Sequence, residues 1–158
     1  MQDKWLSETV KIARQSLCQR AKCGVIIVKE QRIIGSGYNA PPLDSLKHKR
    51  CLKKVSLKIG FKSDRTCCVH AEQRAIMDAL TNYPANLLGS RLYFIRLDLS
   101  GSPEPAGQPY CTICSKMTLD SGIAEFALWH KEGLKVYKTG EYNNLSFAYS
   151  GKVKNAIA

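Results

Sequence analysis

The sequence predicts an α/β fold, a sheet covered by helices on both faces. Three observations carry this. Short β-branched or apolar runs recur at residues 23–28, 92–97, 124–129 and 134–137, and longer segments of helical pattern separate them. Alternation of that kind favours a layered sheet over a helix bundle or a sandwich. The length of 158 residues suits one domain with a proper core, and no linker divides it.

The elements follow in order. Residues 4–20 carry a stripe of Leu6, Val10, Ala13 and Leu17, spaced four, three and four, which marks one face of a helix. Trp5 and Ile12 widen that face, and core packing is its plain explanation. Residues 23–28 form a run suited to a strand buried on both sides. Residues 32–38 return beside it, with Gly35 and Gly37 pointing to a close backbone approach or a bend. Pro41-Pro42 ends the pattern.

Residues 43–68 read as a long connection, with a short helix expected near 51–59. Between positions 47 and 65 it holds eight basic residues and one acidic residue, Asp64. Long connections are often functional; the alternative is a solvated loop. A helix is expected at 69–81, a strand at 92–97, a loop through 98–109, and a helix at 111–121 with Gly122 as its C-cap. Strands at 124–129 and 134–137 and a short helix near 145–149 complete the chain.

Composition narrows the function classes. Twenty-four Lys and Arg against 13 Asp and Glu give a net charge of +11, which favours anionic partners such as a nucleotide phosphate or a polynucleotide. A basic surface that merely aids solubility is the alternative. No apolar run approaches the roughly 18 residues of a membrane-crossing helix. The first residues lead into an amphipathic pattern and not an apolar signal core, so a cytoplasmic location is expected. The seven cysteines then read as metal ligands and buried thiols, not as a disulfide framework.

Two segments concentrate the chemistry: Cys68-Val69-His70-Ala71-Glu72 and Pro109-Tyr110-Cys111-Thr112-Ile113-Cys114. Cys111 and Cys114 are three apart at a helix start, so their sulfurs face one side. With His70 they make a sensible zinc set, and three protein ligands leave the fourth tetrahedral position for water. Helix N-termini favour the negative charge of thiolates. His70 and Glu72 are two apart and share no face in mid-helix, but in a first turn both can converge on a metal. A lone Cys-x-x-Cys or His-x-Glu is weak. Together, each opening a helix after a loop, they are strong.

His70-Ala71-Glu72 followed by a Pro-linked Cys-x-x-Cys resembles the zinc-dependent cytidine and deoxycytidylate deaminase superfamily. Residues 70–76, His-Ala-Glu-Gln-Arg-Ala-Ile, look like the deoxycytidylate version of the helix. Residues 23–28 and the Gly-Tyr-Asn-Ala-Pro-Pro of 37–42 are similar to that group's first hairpin and the turn after it, and 114–123 also fits. The likeness spans about residues 5–138. The chain departs from the pattern at Tyr110, placed between Pro109 and Cys111, at Arg74, where the group has Asn, and over 43–68.

The resemblance implies a three-layer α/β/α cytidine deaminase-like fold, with a central mixed sheet of about five strands, in a single domain over 1–158. It implies a Zn2+ cofactor and hydrolytic deamination of a cytosine nucleotide, dCMP or CMP, by zinc-activated water with Glu72 as proton shuttle. It places Asn39, the Ala71 backbone N–H and Trp129 against the substrate, and it implies a homo-oligomer. For Asn39 the plain alternative is an ordinary turn residue, and for Trp129 core packing. His48, Cys51, Cys67 and Cys68 are candidates for a second, structural zinc, the alternative being separate thiols that never meet. Cys18, read on the first helix, and Cys23 at the first strand are expected as small core residues. Two other functions compete: a polynucleotide deaminase acting on tRNA or single-stranded DNA, kept open by the charge, and a non-catalytic zinc-stabilised binding module, which would close a four-ligand site.

Overall fold

The structure, a computed structural model, describes residues 3–50 and 67–149. Helix α1 spans Lys4–Arg14, and the Asp3 side chain caps it by accepting the Trp5 N–H at 2.8 Å and the Leu6 N–H at 3.1 Å. The helix stops earlier than its apolar stripe predicts. Ser16 turns inward, and its hydroxyl reaches the Asn39 carbonyl oxygen at 2.8 Å and the Asn39 Oδ1 at 2.6 Å. Leu17 is consequently 44% exposed, and Cys18 lies beyond the helix.

Strands β1 (Lys22–Lys29) and β2 (Arg32–Tyr38) form an antiparallel hairpin. Glu30 and Gln31 close it with φ of 48° and 60°, the left-handed pair that matches strand twist in a two-residue turn. β1 also pairs antiparallel with β3 (Arg91–Leu97), which runs parallel to β5 (Glu125–His130). β6 (Gly133–Lys138) returns antiparallel beside β5, and β4 (Pro103–Glu104) is a short pairing on β3. The order is β2-β1-β3-β5-β6, a mixed sheet with five main strands, as expected.

Both faces of the sheet are covered. Val25, Ile27, Leu92, Phe126 and Leu128 pack toward α2 (Ala71–Asn82), joined there by Tyr142 of α4 (Thr139–Ala148) and Met117 of α3 (Thr112–Asp120). Ile26, Val28, Tyr93, Ile95 and Ala127 pack against Leu6, Val10 and Ala13 of α1. Alternate β1 residues thus serve opposite layers, which is why the run is apolar throughout. Burying each large apolar side chain contributes about 1.5–3 kcal/mol. α4 starts at Thr139, six residues ahead of the predicted tail helix. The helix expected near 51–59 lies outside the described residues.

The glycines of β2 set the distance to α2. A Cβ on Gly35 would lie 2.5 Å from the Ala75 carbonyl oxygen, and one on Gly37 2.4 Å from that of Ala71. The first turn of α2 therefore rests directly on strand backbone, which fixes the end that carries Glu72.

Candidate metal centre

α2 and α3 present their N-termini to one point. His70 is the residue before α2, with extended backbone (φ −69°, ψ 152°), and its N–H donates to the Gln73 Oε1 at 3.0 Å. That bond holds the imidazole outside the helix while Glu72 sits in the first turn, so two residues that would diverge in mid-helix point the same way. Cys111 stands likewise ahead of α3, and its carbonyl accepts the Ser115 N–H at 2.9 Å. Cys114 lies in the first turn.

His70 Nδ1 is 3.1 Å from the Cys114 Sγ and 3.5 Å from the Cys111 Sγ, and the two sulfurs are 3.2 Å apart. A zinc tetrahedron built from bonds of about 2.0–2.3 Å has edges near 3.5–3.8 Å, so a few tenths of an ångström of outward movement admits the ion. One imidazole and two thiolates suit zinc in type as well as spacing. This is the one group of three or more metal-ligating side chains among the described residues, and it leaves a coordination position open.

The electrostatics agree with that chemistry. The Cys111 thiol is pulled down to about 4, first by its hydrogen bond with Cys114 and then by His70, against the opposing effect of burial. Cys114 is pushed up by the same hydrogen bond and by burial, so the pair shares a proton that a cation would release. His70 is raised by Cys111. Glu72 is 7% exposed, and burial raises its carboxyl, with the Cys111 charge adding to it and His70 opposing. A buried carboxyl raised in this way is suited to both accepting and returning a proton.

Ala71 is fully buried at the first position of α2, where helix N–H groups have no intrahelical partner. The Asn39 Oδ1 accepts from the Cys23 N–H at 2.7 Å and from Ser16, and its Nδ2 donates to the Ala21 carbonyl at 2.9 Å. Both acceptor positions of the amide are used, and one N–H remains to meet a ligand. Asn39 is thus a structural tie as well as a candidate contact. Ser16, which sequence reading took for part of a helix, is its partner. The Ala40–Val69 bridge lays this turn beside the segment entering α2.

Trp129 is partly buried at the end of β5. It packs with the α1-side core beside Ala127, whereas Phe126 and Leu128 face the α2 layer. This packing fits the core reading that stood as its alternative. The second zinc set reaches outside the described residues at Cys51; among the described residues His48, Cys67 and Cys68 form no ligand group. The Cys68 Sγ is 3.8 Å from that of Cys67. Cys23 does line the core, and burial raises its thiol to about 12.

Two of the three departures from the family pattern have defined places. Arg74 leaves α2 to bind the Asp44 carboxylate at 2.9 Å and the Pro41 carbonyl at 2.9 Å, clamping the turn after β2. Tyr110 is exposed beside Cys111, its ring 5.8 Å from that of Tyr149.

Comparison with known proteins gives the same assignment. The family described as the cytidine and deoxycytidylate deaminase zinc-binding region matches residues 1–129. The chain is 32% identical over 126 residues to the deoxycytidylate deaminase of Mycobacterium phage D29, covering 76% of this chain and 86% of that protein. The dCMP deaminase of cyanophage S-TIM5, solved in complex with dCMP and dUMP, shares 25% identity with a TM-score of 0.50 over 80% of this chain and 81% of its own. Cytidine deaminase from Burkholderia pseudomallei has the same fold at 13% identity, with a TM-score of 0.57 over 87% of this chain and 92% of its own. The chain belongs to the zinc-binding cytidine and deoxycytidylate deaminase family.

Proposed function

We propose that this chain is a zinc-dependent nucleotide deaminase that converts dCMP to dUMP or CMP to UMP. The observation that carries the proposal is the convergence of His70, Cys111, Cys114 and the buried Glu72 at two facing helix N-termini. The phage D29 relative is named a deoxycytidylate deaminase, and the S-TIM5 neighbour holds dCMP and dUMP.

His70, Cys111 and Cys114 would hold the zinc, which would supply a Lewis acid able to acidify a water. Glu72 accepts a proton from the attacking water and hands it to the base ring. It then carries the second proton to the departing amine, so that water adds, ammonia leaves and a carbonyl oxygen replaces the amine on the same ring carbon. One carboxylate serves both transfers because it stays in the same buried position. In this reading the Ala71 N–H at the start of α2 is the donor for the base carbonyl, and the remaining Asn39 N–H offers one further donor. The basic residues of 43–68 supply cations for a phosphate.

The same reading takes 1–158 as one deaminase domain working in the cytoplasm as a homo-oligomer. No helix among the described residues is long and apolar enough to cross a membrane. Exposed Met77 and Leu80, on one face of α2, offer a surface for self-association. A polynucleotide substrate is the second reading, favoured by the net charge of +11 and the exposed Tyr110–Tyr149 pair.

The test is ammonia release from dCMP, CMP, deoxycytidine and cytidine by the zinc-loaded protein at several salt concentrations. Turnover of a monophosphate with little salt dependence supports the proposal. Activity confined to tRNA or single-stranded DNA, falling steeply with salt, would replace it.

A further inference from the structure

The α2-facing side of β3 reads Leu92, Phe94, Arg96: two apolar residues packed with the core, then a cation where the strand ends. Arg96 stands directly across from Cys23 on β1 and from Glu104 on β4. Directly paired residues share a face of the sheet, and Cys23 packs with the α2-side cluster. Arg96 therefore belongs to the face over which α2 and α3 bring the metal ligands together.

It also belongs to the same end of the sheet. The Cys23 N–H donates to the Asn39 Oδ1 at 2.7 Å, which sets Arg96 one strand beyond the Asn39 turn. The Cys23 thiol lies within electrostatic reach of both Glu72 and Arg96. The sheet opens at this point. β5 accompanies β3 only from Arg91 to Phe94, and β4 takes its place at Arg96 and Leu97. Crevices outside the carboxyl ends of parallel strands are where open α/β sheets bind their ligands.

We propose that Arg96, held in place by Glu104, binds the phosphate of the substrate and so makes the enzyme select a nucleotide over a nucleoside. The inference rests on the nucleotide deaminase reading and adds to it the residue that reads the phosphate. The Glu104 Oε2 meets the Arg96 Nε at 2.7 Å. That leaves the two terminal amino groups, a fork suited to a pair of phosphate oxygens. The two side chains are 51% and 40% exposed, so a ligand can reach them. The order along the face fits a nucleotide: the base at the metal ligands and Glu72, the sugar at the Asn39 donor, the phosphate at Arg96. A bare surface ion pair is the competing explanation, and it predicts no effect on substrate choice.

The zinc-loaded full chain is assayed on dCMP and on deoxycytidine, comparing the parent with Arg96→Gln, Arg96→Lys and Arg91→Gln. Arg91 is the control, a cation in an ion pair at the opposite end of β3. We expect Arg96→Gln to lower kcat/KM for dCMP by roughly 10- to 100-fold, chiefly through KM, and to change deoxycytidine by less than about 3-fold. Arg96→Lys keeps the charge without the fork and should recover part of the loss. Arg91→Gln should keep the parental preference. Melting temperatures should stay within about 3 °C of the parent, because exposed ion pairs contribute little. A parental KM for dCMP in Arg96→Gln would overturn the inference and move the phosphate to other cations, such as those of 43–68. An equal fall on dCMP and deoxycytidine would overturn it as well, by marking a structural role. A parent that leaves dCMP untouched would instead remove the nucleotide reading itself, and the inference with it.

Discussion

Replacing Gly37 by alanine probes how the strand positions the chemistry. Gly37 has no left-handed backbone to preserve, so the effect of an added methyl is purely steric. Its Cβ would lie 2.4 Å from the Ala71 carbonyl oxygen, 2.5 Å from the Ala75 nitrogen and 2.7 Å from the Arg74 Cβ. Ordinary contact begins near 3.4 Å, so β2 and the first turn of α2 must part by about 1 Å, and the atoms that yield are backbone in a close-packed core. Overpacking of this kind costs about 1–3 kcal/mol, and with two backbone atoms in the way we expect about 3 kcal/mol. For a chain of this size that lowers the melting temperature by about 6–12 °C. The same displacement moves Glu72, one residue from Ala71, and a 1 Å misplacement of a catalytic group lowers the rate by about 100-fold. The assay compares melting curves and dCMP turnover of Gly37→Ala with those of Gly140→Ala, whose Cβ meets nothing within 4 Å. The Gly140 variant should match the parent or gain slightly in stability. Equal melting temperature and turnover for Gly37→Ala and the parent would refute the claim that this contact sets the Glu72 position.

Two further substitutions address the supports around the site. Ser16→Ala removes the buried hydroxyl that binds Asn39 at 2.6 and 2.8 Å, and we expect a loss of about 1–3 kcal/mol in urea unfolding. The KM should rise more than kcat falls, since Asn39 is freed while Glu72 is untouched; unchanged stability and KM would show that the tie is idle. Glu125 is held below its usual range, first by Lys138 and then by Arg91, with ion pairs of 3.0 and 2.6 Å. A folded-state pKa below the unfolded value of 4.5 means that its stabilisation is fully present above about pH 4.5. It is lost as the pH falls through the lowered value. Glu125→Gln should therefore cost about 0.5–1 kcal/mol at pH 7 and close to nothing at pH 3, and a difference that grows in acid would contradict the pairing.

The parts of this structure that could be read from sequence are those decided locally. The β-branched run of β1 is a buried strand whatever surrounds it, and His70, Glu72, Cys111 and Cys114 carry their chemistry in their types and spacing. What escaped reading depends on contacts between distant segments. The apolar stripe of α1 runs on to Leu17, but the bond from Ser16 to Asn39 ends the helix first. Trp129 was ambiguous because both faces of β5 are apolar, so alternation alone does not say which layer a given residue meets.

The most direct measurement is dCMP deamination by the zinc-loaded parent and by Glu72→Gln, with zinc content determined on the same samples. The substitution keeps the size of the side chain and removes its ability to take and return a proton. We expect one tightly held zinc per chain in both proteins, ammonia and dUMP from the parent, and a rate at least about 100-fold lower in the variant. Near-parental turnover by a Glu72→Gln protein that retains its zinc would contradict the assignment of proton transfer to Glu72.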